Sequence, residues 1–598
     1  MTSSSRAEPA LVGGLALVAI ALPALLAFNV PPSATLLNQA SALAGWGGLA
    51  LALSATVPLH AGSRRDAIPS LTAAAALLIL ALSALAAEFL AGLPSPLALS
   101  SVGMILAAML TLAVGVLAGR SAEQRDGIFR AFCFAMVIAG LLSLVVASIQ
   151  SFAPRWADGD WIARPATPGR AGGNLRQPNH LSSLLVWSLV ALACLHEAWG
   201  ERRQPARQAV GRVVSMLAMG ALVLGVVLTV SRTGMVCVLL LAAWGLVDRS
   251  LSRFTRILLL LTPVFYALSW MLATSGAPAF AGDSQIHRSD PSSSRFGIWA
   301  NALSMIVQHP WFGVGWGEFN FAWTLTPFPG RPGAFFDHTH NLPLQLIVEL
   351  GIPVATLVMA LLLWALWKAF VASREAEPAD ALTQRSALVM VLMMGVHSML
   401  EYPLWYAYFL LPTVFALGIC LGGIRNSPRA AASGISAAAS APRMVRASAA
   451  LGIGSALLIV GALVTVADYM RVVAIFSPPQ NAAPLPTRIA DGQHSWLFAH
   501  HADYAAGTTV EHPGEALAAF RRATHYLLDT RLMMAWAIAL NESGDTDRAR
   551  YVAQRLREFN NPAADEFFAP CGLPRGGATP PPFQCVSPSR ALTFEDFR

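Results

Sequence analysis

Apolar residues do not alternate with polar ones along this chain. They come in long runs parted by short polar stretches. Runs of about twenty such residues, the length a helix needs to cross a hydrocarbon core of about 30 Å, lie near 9–29, 38–58, 69–90, 98–118, 128–150, 179–197, 209–230, 233–247, 257–274, 341–367, 384–401, 404–424 and 447–470. The pattern predicts an all-α polytopic membrane protein of about thirteen transmembrane helices. The first run has no strong basic head, because Glu8 balances Arg6, and it reads as a retained helix rather than a signal peptide.

The loops between the runs give a direction. Every second connection carries arginines: Arg64 and Arg65; Arg120, Arg125 and Arg130; Arg202, Arg203, Arg207 and Arg212; Arg249, Arg253 and Arg256; Lys368, Arg374 and Arg385; Arg425, Arg429, Arg443 and Arg446. Basic loops stay on the cytoplasmic side, so the N-terminus is expected there. With an odd number of spans, the tail is expected on the outer side of the membrane. Three regions follow: residues 1–150 with five spans, residues 151–470 with long outer loops at 151–178 and 275–340, and an outer tail at 471–598. In the tail, Ala516, Phe520 and Ala523 recur at helical spacing. Gly544-Asp545-Thr546-Asp547 interrupts the pattern, and Ala549, Ala553 and Leu556 resume it. This predicts a small helix–turn–helix unit resembling a tetratricopeptide repeat, with a Pro-rich loop closed by a Cys571–Cys585 disulfide.

Composition agrees. Of the 598 residues, 55% are hydrophobic and 12% charged, about half the charged fraction of soluble domains. The net charge of +7 is accounted for by the basic loops and does not call for nucleic acid. No Gly-rich phosphate loop occurs in the cytoplasmic segments, so a nucleotide-driven reaction is not expected. The driving force must lie in the substrate or an ion gradient.

The remaining signal is polar residues in places where they are costly. An ionisable group within an apolar span costs roughly 2.5–3.5 kcal/mol on insertion scales. Four outer segments stand out. Arg176-Gln177-Pro178-Asn179-His180 opens the sixth span with a cation and two amides. Arg232, after Ser231, is the only basic residue in a short outer loop, and it predicts an anionic partner. Arg295 follows Ser292-Ser293-Ser294, which would cap a helix whose N-terminus attracts anions; the Gly313, Gly315 and Gly317 run beyond it would allow tight turns near a substrate. Asp337-His338-Thr339-His340 precedes Asn341, Gln345 and Glu349, a polar stripe at i, i+4, i+8 that must face the bundle interior or water.

The two histidines with Asp337 suit a metal by ligand type, but no third and fourth ligand follow at metal-site spacing. A general base is the favoured reading, since imidazole titrates near neutrality. No obligatory cofactor is expected, and a divalent ion is possible without being indicated. His397 and Glu401 form a further i, i+4 pair just before Tyr402-Pro403-Leu404-Trp405. They either orient groups in the site or satisfy each other. Arginine forks, a base and amides beside lipid-facing helices fit a lipid-linked sugar pyrophosphate, which lies in that plane and carries its own leaving group. A transporter or flippase is the rival class, but it predicts costly residues at the midplane rather than at one face.

These segments resemble the bacterial O-antigen ligase and O-antigen polymerase superfamily. The resemblance rests on Ser231-Arg232, Ser294-Arg295 with Trp299, Gly313 through Gly317, and His340-Asn341 followed by Gly351. Arg176 through Leu181, His397 through Trp405 and the helical tail are similar to its protein O-oligosaccharyltransferase branch. The family often has glycine where Val354 stands here. The resemblance implies a membrane glycosyltransferase architecture of the GT-C-like kind. It also implies transfer of a whole glycan from undecaprenyl pyrophosphate to a hydroxyl of a pilin-like exported protein, or to lipid A core or another glycan in the ligase and polymerase branches. By motif, His340 would be the base and Arg232 and Arg295 would hold the pyrophosphate. Arg176, Gln177, Asn179, His338, Asn341, Gln345, Glu349, His397 and Glu401 are the candidate substrate-binding groups.

Overall fold

The computed structural model describes residues 4–57, 64–121, 124–200, 205–282, 295–424, 437–572 and 580–598. Ser292, Ser293 and Ser294, and Arg202, Arg203, Arg425 and Arg429, lie outside the described residues.

Every apolar run falls on a helix, and no strand occurs among the described residues. The membrane portion comprises α1 (Ser4–Leu25), α2 (Leu36–Thr56), α3 (Arg64–Leu90), α4 (Ser95–Arg120), α5 (Arg125–Phe152), α6 (Pro178–Gly200), α7 (Pro205–Leu228), α8 (Arg232–Val247), α9 (Arg253–Leu260) and α10 (Thr262–Gly276). After the short helices α11 (Arg295–Gln308) and α12 (Phe319–Leu325) come α13 (Leu342–Glu375), α14 (Pro378–Ser398), α15 (Ala407–Gly422) and α16 (Ala437–Phe476).

Fewer of these are long and apolar enough to span than the run count suggests. Eight qualify, α2 to α7 with α13 and α16, and a ninth is obtained if α9 and α10, bent by 41°, act as one. The apolar part of α1, and α8 and α15, are short. The apolar run in α14 is interrupted by Gln384, Arg385 and His397. By length and composition alone, the described helices thus account for eight or nine of the thirteen expected spans.

The bundle core is aromatic and small-residue by turns. Trp46, Phe132 and Phe415 meet from α2, α5 and α15, with ring centroids 5.1 to 6.3 Å apart. Beside them Gly115 and Gly119 of α4 face Gly418 and Gly422 of α15. A Cβ on Gly115 would stand 2.5 Å from the Phe415 carbonyl oxygen, so the two backbones touch as membrane helices with small-residue faces do. Exposed leucines and valines such as Leu71, Leu82, Leu217, Leu268 and Leu457 ring the outside, where a soluble protein would carry charge.

The tail adds α17 (Leu485–Gln493), α18 (Ala499–Thr509), α19 (Phe520–Ala523), α20 (Thr530–Glu542) and α21 (Thr546–Glu558). The break read at Gly544 is real: Gly544 has φ +87°, and Asp545 caps α21 by accepting the Arg548 N–H. Cys571 and Cys585 are disulfide-bonded. The tail core of Leu532, Met533, Trp536, Leu556 and Phe559 runs on into Phe319, Phe321, Trp323 and Leu325 of α12 and Ile298 of α11. A buried pair locks this junction: His525 Nδ1 lies 2.9 Å from both oxygens of Glu318.

Candidate functional site

The loop before α13 is built to hold one imidazole. Asn341 caps α13 by accepting the Leu344 N–H at 3.0 Å, and its amide donates to the Met399 carbonyl at 3.1 Å. Gln345 accepts the Thr339 N–H at 2.7 Å and donates to Glu349 at 2.9 Å. Trp299 of α11 donates its indole N–H to the Thr339 carbonyl at 2.9 Å. These bonds fix His340 at φ +56°, a left-handed conformation that costs a non-glycine residue of order 1–3 kcal/mol. Val230, just before Ser231-Arg232, is held at φ +49°, also unusual for a β-branched residue. Both departures sit where a side chain is being aimed.

Glu401 is the centre of the site. Its Oε1 accepts from the Asn179 amide at 2.8 Å and from Arg295, and its Oε2 lies 2.7 Å from His340 Nδ1. Burial pushes the carboxyl up. The His340 bond and the charges of His340 and Arg295 outweigh that effect and hold its pKa at about 2. An ionised Glu401 requires the proton on Nδ1, which leaves Nε2 as the basic nitrogen of His340.

Around this dyad stand three guanidiniums. Arg295 opens α11 and touches Glu401. Arg232 opens α8, whose cap Ser231 accepts the Gly234 N–H at 3.1 Å. Arg170, in the 151–178 loop, was not singled out by the sequence. It donates to the Thr229 carbonyl at 3.0 Å and to Asn179 at 3.2 Å. Burial lowers its pKa; Glu401 partly offsets this, and the like charges of Arg295 and Arg232 lower it further. Arg170, Arg232 and Arg295 are close enough to feel one another's charge, and guanidinium forks of this kind bind phosphate oxygens in pairs.

Other candidates are placed differently. Arg176 spends its guanidinium on the carbonyls of Ala34 and Ala27, at 2.7 and 2.6 Å, clamping the loop between α1 and α2. Gln177 accepts the His180 N–H at 2.8 Å, a local turn bond at the start of α6. His338 stacks on Tyr402 at 4.2 Å and sits 3.2 Å from Asp337, so the two histidines point to different carboxylates. His397 and Glu401 do not pair side chain to side chain. α14 ends at Ser398, so Glu401 turns toward His340 while His397 Nδ1 sits 2.6 Å from Ser183 Oγ. The buried stripe of Gln345 and Glu349 is internal scaffolding.

The glycine run packs on the protein's own backbone. Val314 and Gly315 donate to the Val348 and Glu349 carbonyls at 2.9 and 3.0 Å. α13 is broken there, with Gly351 at φ +75°, and a Cβ on Gly351 would stand 2.3 Å from the Trp311 carbonyl oxygen.

Comparison with known proteins gives matches along the same segments. Residues 217–359 match the family model described as O-antigen ligase, 385–569 the C-terminal part of virulence factor membrane-bound polymerase, and 171–196 protein glycosylation ligase. The chain is 27% identical over 344 residues to a general O-oligosaccharyltransferase of Acinetobacter baylyi, covering 54% of this chain and 56% of that protein. It is 28% identical over 267 residues to a ComP-specific O-oligosaccharyltransferase of the same organism, covering 43% of this chain and 45% of the relative. The matched region thus spans about half the length of each curated relative. By these matches the chain is similar to O-antigen ligase and membrane-bound polymerase proteins and to two O-oligosaccharyltransferases.

Proposed function

We propose that the chain is a membrane glycosyltransferase that moves a preassembled glycan from undecaprenyl pyrophosphate to a serine or threonine hydroxyl of an exported, pilin-like protein. The observation that carries this reading is the His340–Glu401 dyad set among Arg170, Arg232 and Arg295. In the reaction, Nε2 of His340 takes the proton of the acceptor hydroxyl as its oxygen bonds to the anomeric carbon. The bond from that carbon to the pyrophosphate oxygen breaks, and undecaprenyl pyrophosphate leaves with the electron pair. The guanidiniums stabilise the charge that grows on the leaving oxygen, and Glu401 stabilises the imidazolium formed on His340. The site lies at the periplasmic face of the inner membrane and the N-terminus is cytoplasmic, as the basic loops require.

The test is incubation of the purified chain with undecaprenyl-pyrophosphate-linked glycan and, separately, a pilin acceptor, lipid A core and a second lipid-linked glycan. An oligosaccharide-sized mass gain on the pilin supports the proposal. Transfer only to lipid A core, or only chain extension of the glycan, replaces it with a ligase or polymerase.

A further inference from the structure

The end of the bundle remote from His340 holds a second concave site, which the transfer chemistry leaves unused. A cavity of about 680 Å³ opens between α5, α6, α7 and the start of α9. Its lining combines the exposed arginines Arg207, Arg212 and Arg253 with apolar residues that include Val137, Leu141 and Val214. From Arg207 to Ala218 the α7 wall runs about 16 Å, at about 1.5 Å per residue. That accommodates a headgroup and the upper part of an acyl chain.

Among the described residues, no carboxylate is ion-paired with Arg207, Arg212 or Arg253. Glu197, the one lining carboxylate, is turned to the start of α9, where it accepts the Ser252 N–H at 3.1 Å. Arg212 lies 5.6 Å from the ring centre of Phe254. Val210 and Val214 on the α7 side are 64% and 57% exposed, so apolar surface lies open beside the charges.

We propose that this cavity binds an anionic phospholipid, with its phosphate among Arg207, Arg212 and Arg253 and one acyl chain along the α7 wall. A soluble anion would gain nothing from the valines, and a neutral lipid nothing from the guanidiniums. An amphiphile with a phosphate head uses both, as basic pockets between membrane helices do. The site is distant from the dyad, so its failure would leave the reading of His340 untouched.

The experiment is native mass spectrometry of the full chain released from nanodiscs containing equal phosphatidylglycerol and phosphatidylcholine. Wild type should retain phosphatidylglycerol adducts about tenfold over phosphatidylcholine. The triple variant Arg207→Gln, Arg212→Gln, Arg253→Gln should lose that preference, and the triple lysine variant should keep it. Val214→Trp, which fills the cavity and leaves the arginines in place, should also cut retention and so covers a glutamine variant that misfolds. Equal retention of the two lipids by wild type overturns the proposal, as does a preference that survives both the glutamine and the tryptophan changes. Displacement of phosphatidylglycerol by equimolar glycerophosphoglycerol, which has no acyl chains, also overturns it in favour of a soluble-anion site.

Discussion

Two of the histidine–glutamate contacts among the described residues have nearly the same geometry, and they sit in different surroundings. His340 lies 2.7 Å from Glu401, and His525 lies 2.9 Å from Glu318. The second pair is sealed, with side chains 5% and 0% exposed, and the His525 ring stacks on Phe321 at 4.4 Å. It joins the tail to the segment before α12. The first pair keeps its histidine 17% exposed, sets that ring at a strained φ and surrounds its carboxylate with guanidiniums. A histidine–glutamate contact is therefore not itself a mark of catalysis. What separates the two is the greater exposure of the His340 side chain and the Arg295 guanidinium on its carboxylate.

The comparison breaks most visibly at the histidines. His340→Ala should lower glycan transfer by about 10³-fold or more, the loss expected on removing a general base, with little change in melting temperature. A loss below about tenfold would assign the proton transfer elsewhere. Glu318→Ala should act in the opposite sense. Leaving His525 buried without its partner costs about 1–3 kcal/mol, read as a lower melting temperature and early proteolytic release of the tail, while the surviving folded protein keeps its transfer activity. Unchanged thermal stability would show that this pair does not lock the junction.

A smaller contrast lies between two arginines of the same loop. Arg170→Gln should raise KM for the lipid-linked donor about 10- to 100-fold, as expected for a charged hydrogen bond worth about 1.5–3 kcal/mol. Arg176→Gln should leave transfer within about threefold of wild type and cost about 1–3 kcal/mol of stability, because it orphans two backbone carbonyls. Similar kinetic losses in both would put Arg176 in the donor site.

The pH dependence sharpens the picture of Glu401. Its folded pKa of about 2 lies below its ordinary 4.5, so the stability its charge contributes is complete above about pH 4.5 and is lost as pH falls toward 2. The stability difference between wild type and Glu401→Gln should be flat from pH 5 to 8 and shrink below about pH 4.5. A difference that already shrinks at pH 6 would mean Glu401 is not held ionised by its neighbours.

Much of this was legible one residue at a time. The apolar runs are helices because a continuous apolar stretch leaves the backbone no other way to satisfy its polar groups in lipid. Arg232, Arg295 and His340 stood out because each breaks a local rule of cost or charge. Arg170 broke none. It shares a long polar loop with Arg155, Arg164 and Arg176, and only the fold brings it against Asn179. For Glu401 helical spacing left two readings open, a pair with His397 or a group that orients the site, and the early end of α14 turns it to His340. The glycine run looked like a substrate cradle because spacing records permissive backbone without saying what approaches it; here that is α13 at Gly313 and the turn of Ala91 and Leu93 at Gly315 and Gly317. The joining of tail and α12 into one core comes from contacts some two hundred residues apart, which no local pattern encodes.

The most direct test of the central claim is a double-mutant cycle on transfer rate with His340→Ala, Glu401→Gln and the two combined. If Glu401 acts through His340, the double variant will be no slower than His340→Ala alone. Losses that multiply, or a Glu401→Gln enzyme as fast as wild type, would contradict the dyad.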